Sequence, residues 1–123
     1  MDERRRYIRI DESLKISYRV VSPPDGWGNS TSMNISEGGI SFPIDQRLLP
    51  GLILDLRVNL SGSMEPIEAT GEVIWINNRT TAQFPYVVGV KFVKIDLRGR
   101  DRIYYHIHRR IDEGKPSDIG WIE

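Results

Sequence analysis

The chain has 123 residues, 39% of them hydrophobic and 28% charged, a balance that suits one globular domain and excludes a disordered chain. Seventeen basic residues cancel seventeen acidic ones, which excludes a generally basic surface of the kind that holds nucleic acid or acidic membranes. There is no cysteine, so disulfides, thiolate catalysis and cysteine-based zinc sites are excluded as well.

In chain order, the first element is a cationic strip. Arg4, Arg5, Arg6 and Arg9 crowd the start, flanked only by Asp2 and Glu3. Read as extended chain, Arg5, Tyr7 and Arg9 share one face while Ile8 and Ile10 face the core. Arg5 and Arg9 then have α-carbons roughly 13 Å apart, within reach of one nucleotide-sized ligand. Guanidinium groups grip phosphate bidentately, stack on purines, or donate to the acceptor edge of guanine. The bland alternative is a solvated basic chain end.

Period-two alternation follows and predicts antiparallel strands. Leu14, Ile16, Tyr18 and Val20 alternate with Lys15, Ser17 and Arg19. Further runs lie at Ile40–Asp45, Leu52–Leu60, Glu68–Trp75 and Tyr86–Phe92. Ser22 to Asn29 reads as a loop and Leu49-Pro50-Gly51 as a turn, with hairpin tips at Ser61-Gly62-Ser63 and Asn77-Asn78-Arg79-Thr80. Short, even spacing suggests a barrel or sandwich, with Gly71 and Gly89 marking bends. Trp75 is expected in the core, and Trp27 as a plug at a barrel end.

Between the first and second of these runs stands Asn34-Ile35-Ser36-Glu37-Gly38-Gly39. Asn34 and Ser36 share a face and offer donors and acceptors to a base edge or a phosphate. The two glycines permit positive φ and a close backbone approach. A hairpin turn that satisfies its own backbone is the alternative.

After Val93 the period changes. Asp96 is a cap, and Ile103, Ile107 and Ile111 recur every four residues, which predicts a helix of roughly 15 residues ended by Gly114 and Pro116. Tyr104 and Tyr105 are expected to straddle its contact with the barrel. The reading divides the single domain 1–123 into a flexible arginine segment (1–12), a barrel (13–95), a C-terminal helix (96–113) and a tail (114–123).

No catalytic constellation is legible: there is no Ser-His-Asp set, paired carboxylate or phosphate-cradling glycine loop. His106 and His108 face different ways on the helix, so no metal site is expected. The N-terminus has no apolar stretch of secretory length, no segment approaches a membrane span, and the cytoplasm is the expected location. The sequons at Asn29, Asn34, Asn59 and Asn78 are read as chance.

Taken together, Arg5 and Arg9 in an Arg-x-x-x-Arg spacing, followed about 25 residues later by Asn34, Ser36 and Gly39 in an Asn-x-Ser-x-x-Gly spacing, resemble PilZ domains. Gly71-Glu72-Val73-Ile74-Trp75 and Val88-Gly89-Val90-Lys91-Phe92 extend the resemblance from residue 3 to about residue 112. It implies a mostly β fold, a six-stranded antiparallel β-barrel with a C-terminal α-helix, and a bacterial non-enzymatic receptor with no cofactor. The implied ligand is cyclic di-GMP, with Arg5 and Arg9 at its phosphates and guanine faces, Asn34 and Ser36 at a guanine edge, and Gly39 keeping the turn open. Arg4 and Gly38 are further candidates. The family often has aspartate at the place of Asn34; an amide has one oxygen acceptor where a carboxylate has two, which points to lower affinity. The expected mechanism orders the arginine segment on binding and so signals to a protein partner in motility, exopolysaccharide or transcription machinery. The alternatives are a PilZ-fold interaction module that binds no nucleotide, and a small nucleic-acid-binding barrel, against which the neutral charge counts.

Overall fold

The computed structural model describes residues 6–21, 26–60, 65–79, 83–114 and 117–121. Arg4, Arg5, the prolines of the 22–29 loop, the tip at Ser61-Gly62-Ser63, Thr80 and Pro116 lie outside them. Nine strands and one helix are found among the described residues: β1 (Arg6–Asp11), β2 (Lys15–Val20), β3 (Gly28–Thr31), β4 (Asn34–Ile35), β5 (Gly39–Ile44), β6 (Ile53–Val58), β7 (Ile67–Asn78), β8 (Tyr86–Ile95), α1 (Leu97–Asp112) and β9 (Ser117–Trp121). The sheet runs β3-β2-β6-β7-β8-β5-β4-β1-β9, with antiparallel pairing throughout. It curls so that β3 comes back to β5, where Ser30 Oγ donates to the Pro43 carbonyl at 2.6 Å. The fold is mostly β, as expected, with more strands than six. The additional ones are short or terminal, where alternation is too brief to read.

Alternation places the core. Ile16, Tyr18 and Val20 of β2, Leu54, Leu56 and Val58 of β6, and Val88 and Val90 of β8 are buried, and Phe42 of β5 is fully so. Tyr18 stacks on Phe42 with ring centroids 5.4 Å apart. Burial, and then the Asp45 carboxylate, push the Tyr18 phenol above its ordinary pKa.

Both terminal segments differ from the reading. Residues 6–11, expected as flexible, form β1, because Ile8 and Ile10 have a core to join. Residues 117–121, expected as tail, form β9 against β1, with Tyr7 opposite Gly120 and Arg9 opposite Asp118. A strand edge left by β1 is a template for further pairing.

Trp75 corrects another expectation. Register shifts between Thr70 and Gly71 and between Val73 and Trp75. The second shift turns Trp75 off the core face, and Ile76 packs there instead. The indole lies over Gly89, where an added Cβ would meet Trp75 atoms at 2.1–2.5 Å. Gly89→Ala is therefore expected to lose about 1–3 kcal/mol in a denaturant titration. An unchanged unfolding midpoint would show that the indole swings aside freely.

The helix starts where the sequence marks it. The Asp96 carboxylate caps it, accepting from Gly99 N at 2.7 Å. Ile103 and Ile107 are buried, and Ile111 packs on the core edge. At its end Gly114 takes φ of 87°, a left-handed conformation suited to glycine. Tyr104 and Tyr105 do not straddle the helix–sheet contact. They are 40% and 69% exposed, because the sheet-facing stripe is filled by Ile103, His106 and Ile107.

Candidate functional site

The site is built by the pairing of β1 with β4. Ile10 lies opposite Ile35, and Asp11 opposite Asn34. Ile10 and Ile35 are fully buried, which locks this register to the core. The other face of β1 then carries Tyr7, Arg9 and Asp11 in alternation. Continuing the register leads Arg9 toward Ser36 and Tyr7 toward Gly38. The ring of Tyr7 does reach Gly38, since an added Cβ there would lie 2.6 Å from Tyr7 Cδ2. Tyr7 and Arg9, from the described part of the first motif, thus share one face of the sheet with the second.

The turn from β4 to β5 is held by its own polar groups. Ser36 N donates to the Gly39 carbonyl at 2.9 Å, and Ser36 Oγ accepts from Gly38 N at 3.0 Å. Phe92 N donates to the Gly38 carbonyl at 2.9 Å, which pins the turn to β8. Ser36 is fully buried. Its hydroxyl therefore braces the turn in this structure, as the bland alternative had it. Neither Gly38 nor Gly39 has positive φ; among the described residues those glycines are Gly51 and Gly114. The demand at Gly38 is the close approach of a ring. Gly39 is buried in β5 opposite Lys91.

Asn34 is half-buried at the edge of this face. Its Oδ1 is a buried acceptor with no protein donor. Such an atom is costly unless some donor meets it. Arg9 is half-buried on the neighbouring strand. Arg5 and Arg4 precede the described residues.

Three residues at this face, Tyr7, Glu37 and Arg100, are given no role by the sequence reading. Tyr7 sits inside the arginine motif, and its hydroxyl accepts from Arg100 Nη2 of α1 at 2.9 Å. The Arg100 guanidinium carbon lies 5.9 Å from the Tyr7 ring centroid, and its Nε lies 3.9 Å from Glu37 Oε1. The strand period places Tyr7 on the outer face with Arg5 and Arg9 but gives it no role, and Arg100 is not singled out. A second contact ties β1 to α1: Glu12, just past the strand, meets His106 Nε2 at 2.7 Å and Arg110 Nη2 at 3.1 Å.

Clefts among the described residues lie away from this face. One of about 410 Å³ is flanked by Arg19, Trp27 and Arg57 across β2 and β6. Trp27, expected as a barrel plug, instead lies against the guanidinium groups of Arg19 and Arg57, 4.6 and 4.1 Å from its ring centroid. A cation prefers the face of an indole, and both arginines stand on the outer faces of their strands. Among the described residues no group of three or more His, Asp or Glu is placed to hold a metal. No helix there is long and apolar enough to cross a membrane.

Comparison with solved structures gives the same architecture. An inhibitor of motility from Bacillus subtilis (MotI/DgrA) matches with a TM-score of 0.73 at 23% identity, over 91% of this chain and 54% of that one. The PilZ domain of YcgR from Escherichia coli, solved with c-di-GMP, matches with a TM-score of 0.66 at 15% identity, over 91% of this chain and 97% of that one. MrkH, described as a c-di-GMP-dependent transcription regulatory factor, matches with a TM-score of 0.66 at 15% identity, over 90% of this chain and 52% of that one. The chain thus spans about half the length of the Bacillus protein and of MrkH. Comparison with curated protein sequences found no match. The family model described as the PilZ domain matches residues 3–109, and with the curled antiparallel sheet and its closing helix in place, this chain belongs to the PilZ domain family.

Proposed function

We propose that this chain is a cyclic di-GMP receptor domain and that it acts by binding, without catalysis. One observation carries the reading: the arginine strand β1 is the hydrogen-bonded neighbour of β4, so Arg9 and the Asn34–Gly39 turn present one continuous face. The ligand carries two phosphates and two guanines. Arg5 and Arg9, with Arg4 beside them, supply bidentate donors for phosphate and flat cations for purine faces. Asn34 Oδ1 supplies an acceptor suited to guanine N1–H and N2–H. Ser36, Gly38 and Gly39 keep the turn in shape beneath the ligand.

Binding neutralises Arg9 of β1 and the arginines that precede it, which changes the charge of the surface offered to a protein partner. Neighbours in the fold are described as a motility inhibitor and a transcription factor, and a motility, exopolysaccharide or transcription partner in the cytoplasm fits the reading.

Calorimetric titration tests it, with GTP and cyclic GMP as controls. Saturable heat is expected with cyclic di-GMP alone, and at a hundredfold excess over Kd about 2.7 kcal/mol of added stability. No heat and no thermal shift would turn the assignment to an interaction module that binds no nucleotide.

Ser36→Ala separates turn from ligand. The variant is expected to lose about 1 kcal/mol of stability, the worth of one buried hydrogen bond. Its affinity for cyclic di-GMP falls less than that of Arg9→Ala. An equal or larger loss of affinity would place the hydroxyl on the ligand.

A further inference from the structure

We infer that the step over Gly38 is a guanine-base subsite whose rim is read by Arg100 and Glu37, and that Tyr7 occupies it when no base is bound. This rests on the cyclic di-GMP reading and adds Arg100, outside both motifs, and Tyr7 and Glu37, at positions that the motifs leave unspecified.

The place is shaped for a planar ring. Its floor is Gly38, which has no Cβ, and a Cβ there would come within 2.7 Å of both Tyr7 Cδ2 and Cε2. Its rim brings together a cation and an anion from separate elements. Arg100 comes from the first turn of α1, and Glu37 from the turn itself, with Nε and Oε1 3.9 Å apart. Both are partly open to solvent, with side chains 45% and 25% exposed.

Tyr7 uses this rim poorly. Its hydroxyl takes one hydrogen bond, at 2.9 Å, from a guanidinium that carries five donors. Guanine would use it fully. O6 and N7 accept a bidentate pair from the guanidinium, while N1–H and N2–H donate to a carboxylate. Adenine offers a donor where guanine has O6, so it meets the guanidinium badly. The rim therefore selects guanine, and a base must displace the Tyr7 ring to enter. Because Arg100 lies on α1, that exchange also changes what holds the helix to β1.

The test titrates cyclic di-GMP and cyclic di-AMP into the wild-type chain and four variants, Arg100→Ala, Arg100→Lys, Tyr7→Ala and Arg9→Ala. Arg100→Ala is expected to weaken cyclic di-GMP binding about tenfold, the worth of one bidentate base contact, and to narrow the preference over cyclic di-AMP. Arg100→Lys restores only part of the affinity, since an ammonium keeps the charge without the fork. Tyr7→Ala tightens binding several-fold by removing the competitor. Unchanged affinity and preference in Arg100→Ala, beside a loss in Arg9→Ala, overturns the subsite and leaves the receptor reading standing. Failure of the wild type to bind overturns both. Loss of binding in Tyr7→Ala at an unchanged melting midpoint shows the ring to be a ligand contact and ends its role as occupant. Should Tyr7→Ala not fold, the two variants at Arg100, exposed on the helix, decide the matter.

Discussion

Arg9→Ala is expected to lower cyclic di-GMP affinity by a factor of a hundred or more while leaving the melting temperature near that of the wild type. The two halves of this outcome have different causes. Arg9 alternates with Ile8 and Ile10, so its side chain leaves the core face of β1 and is half-buried at the site. Removing a surface guanidinium from its protein neighbours costs about 0–1 kcal/mol. Removing it from a phosphate or a guanine costs two charge-assisted hydrogen bonds, each worth about 1.5–3 kcal/mol. Even the lower end of that sum is a factor of a hundred or more. Titration calorimetry and a thermal melt on the same preparation read both halves. If the variant unfolds, Arg9 is structural and the site assignment fails; if it binds as the wild type does, the ligand lies elsewhere. Arg5→Ala is expected to lose most binding in the same way.

The largest stability effect is expected from Glu12→Ala. Glu12 is 7% exposed and lies at the junction of β1, β4 and α1. Its carboxylate meets His106 Nε2 at 2.7 Å and Arg110 Nη2 at 3.1 Å, and the His106 side chain is 2% exposed. A carboxylate only accepts, so Nε2 is the protonated ring nitrogen. The backbone of the residue is engaged too: its carbonyl accepts from Ser32 Oγ at 2.5 Å, and Ser32 Oγ in turn accepts from Leu14 N at 2.9 Å. Removing the carboxylate strips His106 of a buried hydrogen-bond partner and Arg110 of a part-buried ion pair, a loss of about 3 kcal/mol or more. In a chain of this size that is a fall of about 10 °C or more in melting temperature. The double variant Glu12→Ala, His106→Ala should lose less than the two single losses combined, since the groups act as a unit. A melting temperature within a few degrees of wild type in Glu12→Ala would show that the cluster is solvated.

The two results bear on each other. Glu12 closes the strand that carries Arg9, and its partners stand on the helix that carries Arg100. Strand and helix are thus joined at both ends of β1, by Tyr7 with Arg100 and by Glu12 with His106 and Arg110. Under the proposed function, a ligand that draws on β1 works against α1 through these contacts.

Much of this was legible without coordinates. Ile8 and Ile10 alternate with charged neighbours, and their inward face follows from the strand period alone. Asp96 and the four-residue spacing of Ile103 and Ile107 placed the helix, because capping and helical period are local. The Asn34–Gly39 turn was recognisable as a turn for the same reason. Other features depend on which distant segments meet. No local rule says that β1 pairs with β4 and β9, that Arg100 reaches Tyr7 across 93 positions, or that Glu12 is buried on His106 across 94. The register of β7 on β8 also lay beyond local reading. One shift between Val73 and Trp75 exchanges the faces and moves the indole from the core to Gly89. Amino-acid order by itself determined the periods, the caps and the chemical character of the site residues. Tertiary structure decided the partners, because a strand's neighbours and register are chosen by the burial of whole faces, which no single segment contains.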